Sequence, residues 1–355
     1  MQKNQNNSSI QFCSKSDLPE LQKFLDRYWK RNHVLSKNKE LMDWQHYNKI
    51  NQRYNFIISR DVQNGLIQGI LGYIPNRQFD ETIDINEIFL AIWKVIDSCR
   101  EPMLGIKLLK YLADKEKPDT IFTIGLNSNV MPLYKKLGYK TGFLNHYYII
   151  NKRINDFHLI SNFNGFNPNE NARQDDRILK KINSDDVIRY SDKINQFFLN
   201  GIRPRKSISY ILNKYLFNPF HNYSFYGILK ANNLLGIIIT RIVNHNQTNA
   251  IRLVELAGSN DSIMNLSEEF QKLLINEHAE YLDFYNLGLS EDFLSSSGFI
   301  SRAVESNIII PNYFEPFERK NVNIAYAFSS LKNTDLLLFK GDGDQDRPNI
   351  INDII

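Results

Sequence analysis

EIFLAIWKVIDSCREPMLGIKLLKYLADKEKPDTIFTIGLNSNVMPLYKKLGY, residues 87–139, sets out its parts in an order that decides the fold. An apolar run from Glu87 to Ile96 reads as a strand and leads into a short polar loop with Arg100 and Gly105. Leu104, Leu108, Leu109 and Leu112 then recur at helical spacing, and Ile121 to Leu126 is a second apolar run. A short helical pattern ends at Leu137-Gly138-Tyr139, with glycine just past the helix. Strand, loop, helix, strand, helix is an order that presents a helix N-terminus to a phosphate-bearing ligand.

Outside this stretch the totals set bounds. A chain of 355 residues is long for one core, so two domains are expected. Hydrophobic residues make up 42% and charged residues 23%, the balance of an ordinary globular protein. A net charge of +4, from 43 basic against 39 acidic residues, argues against a nucleic-acid partner. Cys13 and Cys99 give neither a disulfide framework nor metal-ligand spacing, and suit a reducing compartment. MQKNQNNSSIQ has no apolar core for a signal peptide, and Ile88 to Ile96 is interrupted by Lys94 and too short to span a bilayer. The expectation is a soluble cytoplasmic protein with no membrane partner and no metal.

Along the chain, Ser8 to Cys13 reads as a strand, and Ser16-Asp17 as the cap of a helix with Leu21, Phe24, Leu25, Tyr28 and Trp29 on one face. A polar connection holds His33 and the stretch Asp43-Trp44-Gln45-His46-Tyr47. Tyr54 to Ser59 and Leu66 to Ile74 flank Asn64-Gly65 as a hairpin, and His146 to Asn151 reads as a strand closing the first half. The Asn-rich segment 153–177, with Gly165 and Pro168, reads as an interdomain linker.

Beyond it the pattern restarts. Arg177 to Ile182 is a strand candidate, Ser184 caps a helix running to about Leu199, and Phe225 to Lys230 and Leu234 to Val243 form a hairpin turning at Asn232-Asn233. A strand (Ala250 to Ala257), a helix (Ser267 to His278), a strand (Tyr281 to Leu287) and a segment ending in Gly298-Phe299 follow. Ser16 and Ser184 lie 168 apart, and Gly138 and Gly298 160 apart. A repeat of that length implies two tandem copies of one α/β fold. The division expected is 1–153, a linker 154–176, 177–330, and a C-terminal tail 331–355.

The central stretch resembles the acetyl-CoA-binding core of the GCN5-related N-acetyltransferase (GNAT) superfamily. Arg100-Glu101-Pro102-Met103-Leu104-Gly105, leading to Leu108-Leu109, matches the family's loop at Arg100, Gly105 and the leucines, and departs from it at Met103, where glycine is usual. Asn127, Tyr134, Gly138 and Tyr139 match its second signature in full. The tandem layout, Trp44-Gln45-His46 and the tail Gly341 to Pro348 are similar to those of two-domain bacterial N-acyltransferases acting on dTDP-linked amino sugars. The resemblance implies two GNAT-like domains, each a mixed twisted sheet flanked by helices, the second degenerate. It also implies an acyl-CoA donor, with an acyl carrier protein as the other possible carrier. The acyl group is acetyl or longer, such as 3-hydroxybutyryl. The acceptor implied is a dTDP-linked 3-amino-3,6-dideoxyhexose of surface-polysaccharide (O-antigen) synthesis, and the assembly a monomer or homodimer.

Residue by residue, the resemblance assigns the donor to Ile96 and Ser98, to Arg100, Met103, Leu104, Gly105 and Ile106, and to Asn127 and Tyr134. Backbone N–H groups at the helix start suit a pyrophosphate, and Arg100 adds a charged donor. Tyr134 would protonate the departing thiolate. Glu87, His33, His46 and His146 are candidates for the base, with His46 preferred for its aromatic surroundings. His33, Trp44, His46, Arg203 and Lys206 are candidates for the acceptor, the last two for its diphosphate. The second half has Leu294 at the position of Tyr134 and no arginine-glycine loop. Its expected use is to complete the acceptor pocket or to stabilise the first half. The Asp342-Asp344-Asp346 run begins like a calcium loop, but Arg347 stands where such a loop needs glycine. Two other readings remain open: an aminoacyl transferase using aminoacyl-tRNA, and a scaffold without catalysis.

Overall fold

The computed structural model describes residues 8–163, 165, 169–198, 201–302, 307–329 and 335–350. Pro168 and the expected helix end at Leu199 lie outside the described residues. The chain divides into two compact units. One runs up to Ile124 and includes the segment from Arg347, and the other is Gly125–Asp346.

In the first unit β1 (Ser8–Ser14), β3 (Arg53–Asp61), β4 (Ile67–Pro75), β5 (Glu87–Val95) and β6 (Thr120–Leu126) form a mixed sheet in that order, with β2 (Tyr47–Asn48) on β3. β3 and β4 are buried almost continuously because both faces of the sheet are covered. The helices are α1 (Leu18–Phe24), continued by a π turn (Leu25–Trp29), α2 (Val34–Lys37), α3 (Lys39–His46) and α4 (Leu104–Glu116). The leucines spaced along α4 are its buried face, as their period requires. β4 meets β5 through a one-residue bulge: Tyr73 pairs with Leu90 and Gly72 with Ile92, so Ala91 is passed over. β5 and β6 are parallel but pair only from Glu87–Thr120 to Leu90–Thr123. After Leu90 the rest of β5 has β4 as its neighbour.

The second unit begins with α5 (Met131–Lys136), β7 (Lys140–Phe143) and β8 (Asn145–Ile150), followed by β9 (Arg177–Ile182), α6 (Ser184–Arg189), α7 (Ser191–Phe198) and α8 (Ile208–Ile211) with its π turn (Leu212–Leu216). Then come β10 (Ser224–Lys230), β11 (Asn233–His245), β12 (Thr248–Gly258), α9 (Ser267–Asn276), β13 (Ala279–Leu287), α10 (Glu291–Ser296) and β14 (Ile300–Ser301). Four short strands follow: β15 (Tyr313–Phe314), β16 (Phe317–Glu318), β17 (Ala325–Phe328) and β18 (Leu338–Phe339). Its main sheet has the order β14-β8-β13-β12-β11-β10-β9, with β18 on β13.

The two units repeat in detail. Asp17 accepts the N–H of Ser14 and Asp186 that of Asn183, so the helix caps sit 169 apart, one residue off the 168 expected from Ser16 and Ser184. Asn38 caps α3 and Ser207 caps α8, again 169 apart. The bulge recurs too: Thr240 pairs with Leu253 and Ile239 with Glu255, passing over Val254.

Three expectations need correction. The strand expected to close the first half, β8, lies in the second unit's sheet between β13 and β14. Both its faces are apolar, and both are buried there: Tyr147 and Ile149 join the cluster of Ile251, Leu282 and Phe284, while Tyr148 and Ile150 join that of Leu159 and Ile310. The Asn-rich connection is in part a packed segment, since Leu159 and Ile160 are buried and Glu280 accepts the N–H groups of His158 (2.7 Å) and Leu159 (2.8 Å). The hairpin of β10 and β11 turns at Ala231-Asn232, which both take positive φ, one residue before the expected pair. Among the described residues, no helix is long and apolar enough to cross a membrane, and no group of His, Cys, Asp or Glu is placed to hold a metal.

Candidate functional site

The loop between β5 and α4 is built by local chemistry. Ile96 donates its N–H to Gln68 O (2.9 Å), Cys99 folds back to Ile96 O (3.1 Å), and the Cys99 thiol lies 3.3 Å from Gln68 Oε1. Met103 caps α4 in the left-handed region at φ 55°, a conformation costing a non-glycine residue about 1–2 kcal/mol. That accounts for its departure from the expected glycine: the backbone takes glycine's conformation with a side chain that is largely exposed. From Leu104 the helix opens with N–H groups that have no carbonyl one turn earlier to bond, and with no acidic residue in its first turn. Gly105 packs against Trp93, whose indole nitrogen would be 3.1 Å from a Cβ at that position. Lys107 is ion-paired to Glu101, whereas Arg100 and Ser98 are exposed beside the helix start. The result is a cationic, donor-rich rim at a thirteen-residue helix, next to the segment of β5 that has left β6.

The first unit also holds His33, Trp44, His46 and Glu87. His33 is fully buried at the cap of α2, where Nδ1 accepts from Leu35 N (3.3 Å) and Nε2 lies 3.2 Å from Arg347. Burial and the Arg347 guanidinium push its pKa down to about 2. His46 is fully buried at the end of α3, with its ring against Phe56. Its Nδ1 lies 3.1 Å from the Tyr73 carbonyl, which can only accept, so that nitrogen carries the proton and Nε2 is the basic one. The Gln45 amide lies 3.1 Å from Nε2. Tyr73 is the residue at which the β4–β5 bulge begins, so the ring is tied to the strand that carries the bulge. Trp44 packs on Phe79, and Glu87 is buried at the start of β5 beside Asn76.

The second unit holds Asn127, Tyr134, Arg203 and Lys206. Asn127 accepts from Asn129 N (3.0 Å) as the cap of a short 3-10 turn, and Tyr134 is buried on α5 with its ring against Tyr139. Gly138 ends that helix at φ 85°. His146 is buried against Tyr285. Burial lowers its pKa to about 4, and Arg302 donates to its Nδ1 (2.8 Å). Arg203 is held by its main chain, with its N–H on Asp335 O (2.8 Å) and its carbonyl accepting from Leu337 N (2.9 Å).

Lys206 is buried between Glu255 Oε2 (2.7 Å) and Asp342 Oδ1 (2.8 Å), and Tyr215 also donates to Glu255 Oε2 (3.2 Å). Burial raises the Glu255 pKa to about 7. A small pocket opens beside this group, lined by Phe198, Ile202, Pro204, Lys206, Glu255 and Phe339. Sequence reading missed Glu255. The available signal was a carboxylate inside the otherwise apolar run Leu253-Val254-Glu255-Leu256-Ala257. The acidic run is also internal. Asp342 meets Lys206, and Asp346 meets Arg241 (3.3 Å) and the Tyr223 hydroxyl (2.8 Å).

The fold is that of solved GNAT structures. The chain superposes on a GCN5-related N-acetyltransferase from Anabaena variabilis with a TM-score of 0.54 at 12% identity, covering 90% of this chain and 72% of that one. It superposes equally on a conserved protein of unknown function from Enterococcus faecalis, described as a probable N-acyltransferase, with a TM-score of 0.54 at 11% identity and the same coverage. No family model matches the chain, and no curated protein does.

Proposed function

We propose that this chain is an N-acyltransferase that takes an acyl group from acyl-coenzyme A and passes it by direct attack to the amine of a nucleotide-linked amino sugar. One observation carries the donor half of this reading: α4 starts, with unpaired N–H groups and exposed Arg100, beside strands that part after Leu90. Anion binding at such a helix start is favoured by both the N–H groups and the helix dipole. The Arg100 loop supplies the pyrophosphate grip, and Ile96, Ser98 and Met103 to Ile106 line the same rim.

The roles of base for the attacking amine, His46, and of acid for the leaving thiolate, Tyr134, are those of the sequence reading. Nδ1–H on the Tyr73 carbonyl fixes the imidazole tautomer that makes Nε2 basic. The acceptor assignment rests on the sequence resemblance alone, since Lys206, expected to meet its diphosphate, is buried against the Glu255 and Asp342 carboxylates. Thiol release with a panel of acyl-coenzyme A donors and nucleotide-linked amino sugars tests the reading. Release that depends on an amino sugar supports it. Transfer from aminoacyl-tRNA, with no release to any amino sugar, overturns it.

A further inference from the structure

The second unit contains its own version of the parted strands, and there the gap is filled. β12 and β13 pair in parallel from Asn249–Ala279 to Leu253–Phe284 and then separate. Into the gap comes the segment Leu337–Gly341. Leu338 and Phe339 pair with Leu287 and Asn286 of β13, and Lys340 donates its N–H to Tyr285 O (3.3 Å). Gly341 then donates to Val254 O (3.0 Å) on the opposite strand, so one extended segment bonds to both parted strands. It fits closely: a Cβ at Gly341 would lie 2.4 Å from the Tyr215 hydroxyl and 2.5 Å from Val254 O.

The repeat gives each contacting residue a counterpart in the first unit. The shared bulge sets Leu90 against Leu253, Ala91 against Val254 and Ile92 against Glu255. From Ser14 and Asn183, through the helix caps Asn38 and Ser207, to Phe56 and Phe225, each of which pairs with the residue just before the bulge, the offset stays at 169. Within that span His46 corresponds to Tyr215 and Gln45 to Lys214.

We propose that the segment Leu337–Gly341 is an internal stand-in for a ligand: it fills in the second unit the gap that in the first receives the extended arm of a thioester. Two consequences follow, both resting on the donor reading above. The chain takes one thioester, because its second gap is occupied by its own backbone. Gln45, the counterpart of Lys214, is a positioning residue beside the bound arm, holding His46 Nε2 through its amide. Lys214 itself serves the internal segment, in a buried group with Tyr210, Lys206 and the Glu255 and Asp342 carboxylates.

The test is calorimetric titration of the full chain with coenzyme A, followed by the same titration of Gln45→Ala and Lys214→Ala. The expected result is one site per chain, weakened about fivefold or more in Gln45→Ala and unchanged in Lys214→Ala, with Gln45→Ala unfolding at the wild-type temperature. The wild-type stoichiometry needs no variant to fold. Two equivalent sites overturn the stand-in and leave the donor reading intact. One site with unchanged affinity in folded Gln45→Ala overturns the assignment of Gln45. No binding of coenzyme A sinks the donor reading and this inference together.

Discussion

The ammonium of Lys206 sits 2.7 Å from Glu255 Oε2, and both side chains are out of solvent. The same ammonium holds Asp342 at 2.8 Å, so one cation balances two buried carboxylates, with Lys214 close by. Lys206→Met removes the cation and leaves both carboxylates behind. Breaking a buried pair in this way costs about 3–5 kcal/mol. Urea unfolding is expected to show a loss of that size. Lys206→Met combined with Glu255→Leu is expected to recover part of it, because an apolar pair replaces an uncompensated charge.

Tyr134→Phe keeps the ring that packs on Tyr139 and removes only the hydroxyl. If that hydroxyl protonates the leaving thiolate, turnover falls by ~10²–10⁴-fold while coenzyme A affinity stays near wild type. Unchanged turnover would assign the proton to another donor. The equivalent position in the second unit, Leu294, is fully buried, and Leu294→Tyr is expected to create no activity there.

Arg100→Ala tests the rim of α4. Arg100 is exposed, so its loss leaves the fold unaffected and removes one charge-assisted contact of about 1.5–3 kcal/mol. Coenzyme A is expected to bind about tenfold or more weakly, whereas dephosphorylated pantetheine, which lacks the diphosphate, is expected to show no difference between wild type and variant.

The buried histidines predict the acid response. His146 is held near pKa 4 and His33 near 2, both below the ordinary 6.5, mainly by burial. For each, the unfolded chain binds a proton that the folded chain refuses, so stability is complete above about pH 6.5 and is lost as pH falls towards the folded pKa. Each contributes at most about 1.4 kcal/mol per pH unit. Glu255, raised to about 7, acts in the opposite sense, since the folded state takes up its proton first on acidification. Urea midpoints at pH 6.5 and pH 5 are expected to differ less in His146→Gln than in wild type. An unchanged difference would show that His146 is not the titrating group.

The strands, the α4 helix and the existence of a repeat were legible in sequence because each rests on local periodicity. Leu104, Leu108, Leu109 and Leu112 announce a helix face wherever they occur. The placement of β8 was not legible. HYYII reads as a buried strand in either sheet, and only its pairing with β13, more than 130 residues away in sequence, decides which. The acidic tail misled for a related reason. Asp342 and Asp346 look like solvated residues until Lys206, Arg241 and Arg252 are seen waiting inside as counter-charges. The candidate site divides the same way. The Arg100–Gly105 loop is contiguous and could be read directly, whereas the tie between His46 and the Tyr73 carbonyl is made by tertiary structure.

The segment Leu337–Gly341 also has a consequence for how the protein is made. Residues 337–346, which include β18, leave the ribosome after every other strand of the second unit's sheet has emerged. Until they arrive, Lys206, Arg241 and Arg252 have lost Asp342 and Asp346 as partners, and the separated ends of β12 and β13 have no backbone between them. Closure of that sheet therefore follows the emergence of all its other strands. A nascent chain stalled before Leu337 carries an open strand edge, which invites pairing with another chain.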